Sequence, residues 1–170
     1  LFGRRGVHVI HVTPHAPATG ISASAADAGR LPGTAPMSRY RRIRVVGKGS
    51  FGCCWLVENE SGEQCILKEI DVSKMPAKQR EEATNEVRFL SGLRHPFIIG
   101  YRASYVSGGL LCIVTDYAEK GDLYRLIHRQ RRSGHLLSEA HVLRWFTQTS
   151  LALKHLHDRR IVHRDLKTQN

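Results

Sequence analysis

The sequence predicts an α+β protein in which most strands precede most helices. Short apolar, β-branched runs lie at residues 40–70 and again at 98–116, whereas helical periodicity is confined to 76–93 and 122–158. Strands and helices therefore do not alternate one by one, which argues against a parallel βαβ sheet. A chain of 170 residues, of which 41% are hydrophobic and 24% charged, is long enough to build one domain core.

The strand regions divide into five expected strands. The first three are joined as a meander, with a polar, glycine-containing turn at residues 58–63 between the second and the third. The last two flank the turn Ser107-Gly108-Gly109. The predicted strands are Tyr40–Val46, Cys53–Val57, Gln64–Ile70, Ile98–Val106 and Leu110–Asp116.

The first helix is predicted over Pro76–Leu93, and its start at a proline is acceptable because proline is tolerated in a first helical turn. Its apolar stripe, at the 3.6-residue period, consists of Ala83, Val87, Leu90 and Leu93. Glu86 lies on the same stripe, where a carboxylate is costly unless a cation pairs with it. Glu86 is therefore a candidate functional residue.

Two later helices begin after residue types that favour the N-cap position. Asp122 precedes a helix over Leu123–Arg129, and Ser138 precedes a longer one over Glu139–Asp158. The inner side of the longer helix is predicted to carry Val142, Phe146, Thr149, Leu153 and Leu156.

Residues 1–38 differ in composition from the rest of the chain. They are rich in Ala, Gly, Ser, Thr, Pro and His, with the single acid Asp27 and no sustained hydrophobic period. This composition predicts a disordered or non-native extension, and Met37 is a candidate for the true start. His8, His11 and His15 have metal-like spacing, but a segment without fixed structure is a poor metal site.

Bulk properties argue against several classes of function. The net charge is +11, yet the basic residues are scattered rather than interleaved with aromatics, so a dedicated nucleic-acid interface is not predicted. No apolar run is long enough to span a bilayer. The four cysteines, Cys53, Cys54, Cys65 and Cys112, lie in apolar strands without C-x-x-C spacing, so we expect reduced thiols in a cytosolic or nuclear protein.

A glycine-rich turn is the first motif that carries chemistry. Gly47-Lys48-Gly49-Ser50-Phe51-Gly52 matches G-x-G-x-x-G, which occurs in Rossmann turns and in flaps over ATP phosphates. A Rossmann turn opens a helix, whereas the strand Cys53–Val57 follows here, which favours the ATP flap. A plain glycine-rich hairpin is the alternative.

Lys68 lies on the predicted strand Gln64–Ile70, which follows the polar turn at residues 58–63. An ammonium group in an apolar strand needs an anion, which a phosphate and the carboxylate of Glu86 would both supply. The alternative is a lysine that reaches solvent at a strand edge.

The last eight residues, His163-Arg164-Asp165-Leu166-Lys167-Thr168-Gln169-Asn170, form the most specific motif. The spacing of Asp165, Lys167 and Asn170 after a long helix is that of a kinase catalytic loop. In such a loop the aspartate orients a hydroxyl and accepts its proton, the lysine lies by the transferred phosphate, and the asparagine binds a metal ion.

Through these motifs, in this order, the segment Tyr40–Asn170 resembles a eukaryotic serine/threonine protein kinase. The resemblance implies a bilobal protein-kinase-like fold, with a small β-rich lobe at 39–115, a hinge at 116–121 and the start of the helical lobe at 122–170. It implies ATP and Mg²⁺ as cofactors, protein substrates with Ser or Thr, and no membrane partner. Catalytic roles fall to Lys68, Glu86, Asp165 and Lys167, metal binding to Asn170, and nucleotide binding to Gly47, Lys48, Gly49, Ser50, Phe51, Gly52, Cys54, Ile66, Lys68, Thr115, Asp116, Tyr117 and Ala118.

The closer similarity is to the NIMA-related (Nek) kinases. It is carried by Leu67-Lys68-Glu69-Ile70, Trp145-Phe146-Thr147-Gln148 and Thr168-Gln169-Asn170, among other segments. Membership implies a role in cell-cycle, centrosome or cilium biology, in the cytoplasm or nucleus. Two adenine-pocket positions depart from the usual pattern. Cys54 replaces a valine and would be a modifiable thiol, and Ile66 replaces an alanine and would narrow the pocket.

The sequence does not contain the family's Asp-Phe-Gly metal ligand, activation loop or substrate-binding helices. We therefore expect the 170-residue chain to have no kinase activity by itself, and the inner side of the helix Glu139–Asp158 to be exposed. The alternatives are a non-catalytic truncated kinase that binds a nucleotide or a partner, and a Rossmann oxidoreductase.

Overall fold

A computed structural model describes residues 39–49, 52–163 and 165–169, without the side chains of Glu82 and Glu86. The expectations for residues 1–38 and for Ser50, Phe51 and Asn170 lie outside the described residues. The chain divides into two compact units. The strand unit contains the described parts of 39–93 with 100–117, and the helical unit contains those of 94–99 with 118–169.

The strand unit contains a five-stranded antiparallel sheet and one helix. In chain order its elements are β1 (Tyr40–Gly49), β2 (Gly52–Asn59), β3 (Gln64–Asp71), α1 (Ala77–Gly92), β4 (Tyr101–Ser107) and β5 (Leu110–Asp116). The strand order is β1-β2-β3-β5-β4, so the predicted meander is confirmed for β1 to β3. The last two strands also form a hairpin, but β3 pairs with β5, the strand more distant in sequence.

The start of β4 differs from the sequence-based prediction. The strand was expected from Ile98 but begins at Tyr101. The amide of Ile98 instead donates to the carbonyl of His95 at 3.2 Å, which closes a turn around Pro96. A residue whose amide closes a turn is not available to extend the ladder, so the strand begins three residues later than predicted.

The two faces of β3 differ in burial. Cys65, Leu67 and Glu69 are buried on one face, whereas Ile66 and Lys68 are half-buried on the other. The first face, here called the core face, contributes to a cluster of Val57, Cys65, Leu67, Ala103, Tyr105, Cys112 and Val114. Burial of these side chains is the main stabilising term of the sheet.

Glu69 is a charged residue on the core face, only 7% exposed. Its carboxylate accepts hydrogen bonds from the Arg42 guanidinium and from the Trp55 Nε1 at 2.8 Å. The guanidinium carbon of Arg42 lies 4.9 Å from the centre of the Trp55 ring, in a cation–π contact. A buried carboxylate is tolerated here because both of its oxygens are hydrogen-bonded.

Helix α1 packs against the face of the sheet that carries Lys68. Its residues Ala83 and Val87 belong to a cluster with Ile113, and Ile113 is the cross-strand partner of Lys68. The predicted apolar stripe is confirmed, since Val87 and Leu93 are buried and Ala83 and Leu90 are half-buried.

The helical unit contains α2 (Leu123–Arg132) and α3 (Glu139–His157). Both predicted caps are confirmed: the side chain of Asp122 accepts from the amide of Arg125 at 2.7 Å, and that of Ser138 from the amide of His141 at 3.4 Å. On α3, Leu156 is fully buried, whereas Phe146 is 70% exposed and Val142 is also exposed. No helix in the described parts of the chain has the length and apolarity needed to cross a membrane.

Candidate active site

Strand register brings five of the thirteen predicted nucleotide-binding residues to one face of the sheet. Lys68 is paired with Cys54 on β2 and with Ile113 on β5. Ile66, two residues earlier on the same face, is paired with Thr115. Residues directly opposite each other in an antiparallel ladder share a face. We call this surface, formed by Gly47, Cys54, Ile66, Lys68 and Thr115, the Lys68 face.

The predicted pairing of Lys68 with Glu86 is not tested, because the side chain of Glu86 is not described. The Lys68 ammonium makes no ion pair with any carboxylate whose side chain is described. Glu86 belongs to the α1 turn between Ala83 and Val87, which packs against the partner of Lys68 on β5. The pairing of Lys68 with Glu86 stays a prediction. It is compatible with the fold, because α1 packs on the face of the sheet that carries Lys68.

Cys54 lies beside Lys68 on this face and is half-buried. Burial raises the pKa of the Cys54 thiol, and the nearby Lys68 charge lowers it by a smaller amount. The thiol is therefore protonated at neutral pH. Since the thiolate is the reactive form, we expect Cys54 to react slowly with electrophiles.

Gly47 and Gly52, the first and last glycines of the G-x-G-x-x-G motif, have different structural roles. A Cβ atom at Gly52 would lie 1.7 Å from the carbonyl oxygen of Glu69 on β3, so only glycine allows β2 and β3 to pair here. A Cβ atom at Gly47 would meet only the Cβ of Cys54 at 3.9 Å, an ordinary contact. Strand packing thus explains Gly52 without any phosphate.

Lys48, also predicted to contact the nucleotide, is not part of the Lys68 face. It is paired with Cys53, which alternates with Cys54 and so belongs to the opposite side of the ladder. The Lys48 side chain is exposed. Any contact from this position to a ligand on the Lys68 face would therefore come from its backbone.

The residue that begins the predicted hinge is held by its backbone and by its side chain. The Asp116 amide donates to the carbonyl of Gly100 at 2.9 Å, and its carboxylate accepts from Nε of Arg102 at 2.5 Å. Its cross-strand partner is Cys65, so the carboxylate belongs to the core face rather than to the Lys68 face. The Asp116 amide is therefore not available to a nucleotide. Its carbonyl accepts from the Thr115 hydroxyl at 3.4 Å, which leaves a second lone pair for a nucleotide.

Arg102 was not among the residues predicted from the sequence. It bridges two strand ends, since its Nη1 also donates to Oε2 of Glu63 at 2.7 Å. One signal was available: an arginine inside an apolar predicted strand needs an acidic partner, and Asp116 ends the following strand. Nothing local in the sequence identifies Glu63 as the second partner.

The segment His163–Gln169 lies in the helical unit, where hydrogen bonds within the unit fix it. His163 is 2% exposed, and its Nδ1 accepts from the Asp165 amide at 3.2 Å. Farther along, the amide of Tyr124 on α2 donates to the carbonyl of Thr168 at 3.0 Å. The same Asp165 amide donates to the His163 carbonyl at 2.9 Å, and the Nε2 of His163 is buried without a hydrogen-bond partner among the described residues.

The predicted catalytic base and lysine are in contact. Nζ of Lys167 lies 2.9 Å from both carboxylate oxygens of Asp165, and each side chain is 49% exposed. A carboxylate held by a cation yet open to solvent can receive a substrate hydroxyl and accept its proton. The sequence predicted a role for each of these residues but not their contact, and the roles themselves stay predictions.

The described residues alone do not form a metal site. Asn170, the predicted ligand, lies outside them, and they contain no group of three or more His, Cys, Asp or Glu side chains arranged to hold a metal. The assignment of Asn170 stays a prediction.

Comparison with known proteins identifies a family and several relatives. Residues 40–170 match the protein kinase domain family. Over 135 residues, or 79% of this chain, it is 46% identical to serine/threonine-protein kinase Nek1 of Mus musculus and 44% identical to serine/threonine-protein kinase Nek5 of Homo sapiens. It is also 44% identical, over the same share, to probable serine/threonine-protein kinase nek3 of Dictyostelium discoideum. The matched regions cover 11%, 19% and 12% of these relatives, so the chain spans only a small part of their length.

Proposed function

Since this chain belongs to the protein kinase domain family, we propose that the protein containing it transfers the γ-phosphoryl group of ATP to Ser and Thr hydroxyls of proteins. The antiparallel sheet with α1, followed by α2 and α3, fits the small lobe and the start of the large lobe of that fold. The relatives named above are serine/threonine-protein kinases of the Nek group. The observation that carries the proposal is the contact of Lys167 with Asp165 in an exposed loop.

The Lys68 face supplies a donor set that fits ATP. It presents one ammonium group beside the backbone of Gly47 and the small Cys54 side chain, which suits phosphates approaching a strand turn. Ile66 and Thr115 would supply the apolar and polar surface for the base, with backbone groups of Asp116 and Tyr117 beside it, and a contact from Ala118 stays a prediction. Mg²⁺, which protein kinases use in general, would neutralise phosphate charge, with Asn170 as its predicted ligand.

The chemistry proposed for Asp165 is proton transfer. Its carboxylate accepts a hydrogen bond from the substrate hydroxyl and takes the proton as the hydroxyl oxygen bonds to the γ-phosphorus. The bond from that phosphorus to the bridging oxygen breaks, and its electron pair leaves with ADP. Lys167 holds the carboxylate in place beforehand and places positive charge beside the reacting phosphoryl group.

The experiment compares two aspartates that are paired with lysine in the same way. In the full protein, Asp165→Asn should lower kcat for phosphorylation of a generic Ser/Thr protein substrate by about a thousandfold, since a positioned general base contributes 10²–10⁴. Asp158→Asn is the matched control. Asp158 accepts from Nζ of Lys154 at 2.9 and 2.7 Å at the end of α3, so its loss removes a similar ion pair without touching the loop.

ATP binding should be kept in both variants, because neither aspartate lies on the Lys68 face. Isothermal titration with ATP and Mg²⁺ checks this. Phosphate transfer at the wild-type rate by Asp165→Asn, or no transfer by the wild-type protein with any Ser/Thr substrate, would contradict the proposal.

A further inference from the structure

Arg102 is the extra residue of a β-bulge in β4. Its neighbours Tyr101 and Ala103 are paired with Thr115 and Val114, two consecutive residues of β5, so Arg102 itself has no partner in the ladder. A bulge turns its extra side chain away from the regular alternation and is frequent beside functional sites. In this position it directs a cation towards the end of β5.

Two nitrogens of the Arg102 guanidinium group bind two different carboxylates. Nε donates to Asp116 at 2.5 Å and Nη1 donates to Glu63 at 2.7 Å, and the Arg102 side chain is only 28% exposed. Glu63 is itself fixed, because its backbone amide donates to Oδ1 of Asn59 at 2.8 Å and its Oε2 accepts from the side-chain Nδ2 of Asn59 at 3.1 Å. Arg102 therefore ties the end of β5 to a rigid turn between β2 and β3. Charge-assisted hydrogen bonds in a planar fork have the geometry needed for this.

The Asp116 carboxylate is confined on its other side by Gly100. A Cβ atom at Gly100 would lie 2.5 Å from Oδ2 of Asp116, so a larger residue would displace the carboxylate. The carbonyl of Gly100 also holds the Asp116 amide. Asp116 is thus fixed by its backbone, by the absence of a neighbouring side chain and by one cation.

None of these side-chain contacts is on the Lys68 face. Asp116 is paired with Cys65, whose side chain is buried on the core face. A nucleotide on the Lys68 face would meet the Asp116 backbone, whereas Arg102 would hold the same residue from the opposite side of the sheet. Any effect of Arg102 on the nucleotide is therefore indirect.

We propose that Arg102 is a positioning residue that fixes the Asp116 backbone for binding of the adenine base. The inference rests on the proposed kinase function. It makes Arg102 a determinant of ATP affinity rather than of phosphate transfer. Preorganisation of a binding segment improves affinity because less ordering is required when the ligand binds.

The test is a split between KM and kcat in the full protein. Arg102→Met should raise the KM for ATP about fivefold, in line with coupling energies of contacting residues, and should change kcat less than twofold. Arg102→Lys should give an intermediate KM, since a lysine can reach one carboxylate but cannot bridge two. Asp116→Asn should also raise KM. The double variant Arg102→Met/Asp116→Asn should raise KM by less than the product of the two single effects, because Arg102 acts through Asp116.

Arg41→Met is the matched control. Arg41 makes an ion pair of 2.8 Å with Glu58 between β1 and β2 on the same sheet, away from Asp116. It should leave the KM for ATP unchanged. A merely structural role for Arg102 predicts a lower melting temperature with an unchanged KM in Arg102→Met, and that result would overturn the inference. If Arg102→Met does not fold, an unchanged KM in Asp116→Asn overturns it instead.

Loss of all activity in the wild-type protein would refute the proposed function and not the inference about Arg102. In that case the dissociation constant of ATP, measured by calorimetry for the same variants, replaces KM. An equal ATP affinity for wild type and Arg102→Met would then decide against the inference.

Discussion

The Lys68 face and the segment His163–Gln169 differ in what holds their side chains. On the Lys68 face, ladder pairs on both sides of β3 fix each side-chain direction, and a one-residue slip would reverse it. Among the described residues of the segment there is no strand ladder. The Asp165 amide donates to Nδ1 of His163, Lys167 donates to the Asp165 carboxylate, and the Tyr124 amide donates to the Thr168 carbonyl. The first region should therefore respond to changes in strand packing, and the second to the loss of one side chain.

The largest effect is expected from Gly52→Ala in the sheet. The new Cβ would collide with the Glu69 carbonyl at 1.7 Å, so β2 and β3 must separate, at a cost of about 3 kcal/mol or more. Hydrogen exchange measured by mass spectrometry should show faster exchange in peptides of β2 and β3.

Gly47→Ala is the matched control on the neighbouring strand, because its Cβ would meet Cys54 at an ordinary 3.9 Å. Its exchange should resemble that of the wild type. Equal exchange in both variants would show that packing does not require Gly52, and the contrast drawn between the two regions would lose its basis.

The next largest effect is expected from Lys167→Met in the loop. Removing the cation that holds Asp165 should lower kcat about a hundredfold, as for loss of one preorganised electrostatic donor, and leave the protein's stability almost unchanged. Steady-state kinetics and thermal unfolding measure the two quantities.

Lys154→Met removes an ion pair of the same kind at an exposed site of α3 and should change neither kcat nor stability appreciably. If Lys167→Met unfolds the protein, then the loop has a stabilising role that its exposed position does not suggest.

This contrast also explains which parts of the site were predictable. Cys54, Ile66 and Lys68 were identified because their order along the chain matches a known motif. Alternation along β3 puts Ile66 and Lys68 on one face, and the register of β2 with β3 adds Cys54. The pairing of β3 with β5 was not predictable, because it joins residues 39 to 51 positions apart and no local pattern encodes it. Arg102 was missed for the same reason, since its partners Asp116 and Glu63 are distant in sequence.

The segment around Asp165 was predictable in identity, because its residues match a motif, but not in contact. The hydrogen bond from Lys167 to Asp165 was not predicted, since the motif assigns the lysine to the transferred phosphate. The link from Tyr124 to Thr168 was not foreseen, because it is a backbone hydrogen bond, which no side-chain pattern reveals.

The smallest effect expected is a pH dependence of stability in the helical unit. The rings of His95 and His155 lie 4.8 Å apart, and the pKa values of both are lowered, by burial and then by the charge of Arg159. A lowered pKa means that the unfolded chain binds more protons, so this contribution is present above about pH 6.5 and is lost as the pH falls.

The melting temperature should therefore fall between pH 7.5 and pH 5.5 by about 1–2 °C more in the wild type than in His155→Gln. His135→Gln, in the exposed loop between α2 and α3, is the control and should behave as the wild type. An identical pH profile for wild type and His155→Gln would exclude a contribution from this pair.

The bulge at Arg102 has a consequence for the comparison of related sequences by length. Because the ladder between β4 and β5 pairs Tyr101 with Thr115 and Ala103 with Val114, it can close without the residue between them. A relative that is one residue shorter at this point would keep the register of both strands and lose the cation beside Asp116. A one-residue gap here in an alignment would thus mark the absence of the Arg102–Asp116 contact, while every other position of the sheet stayed aligned.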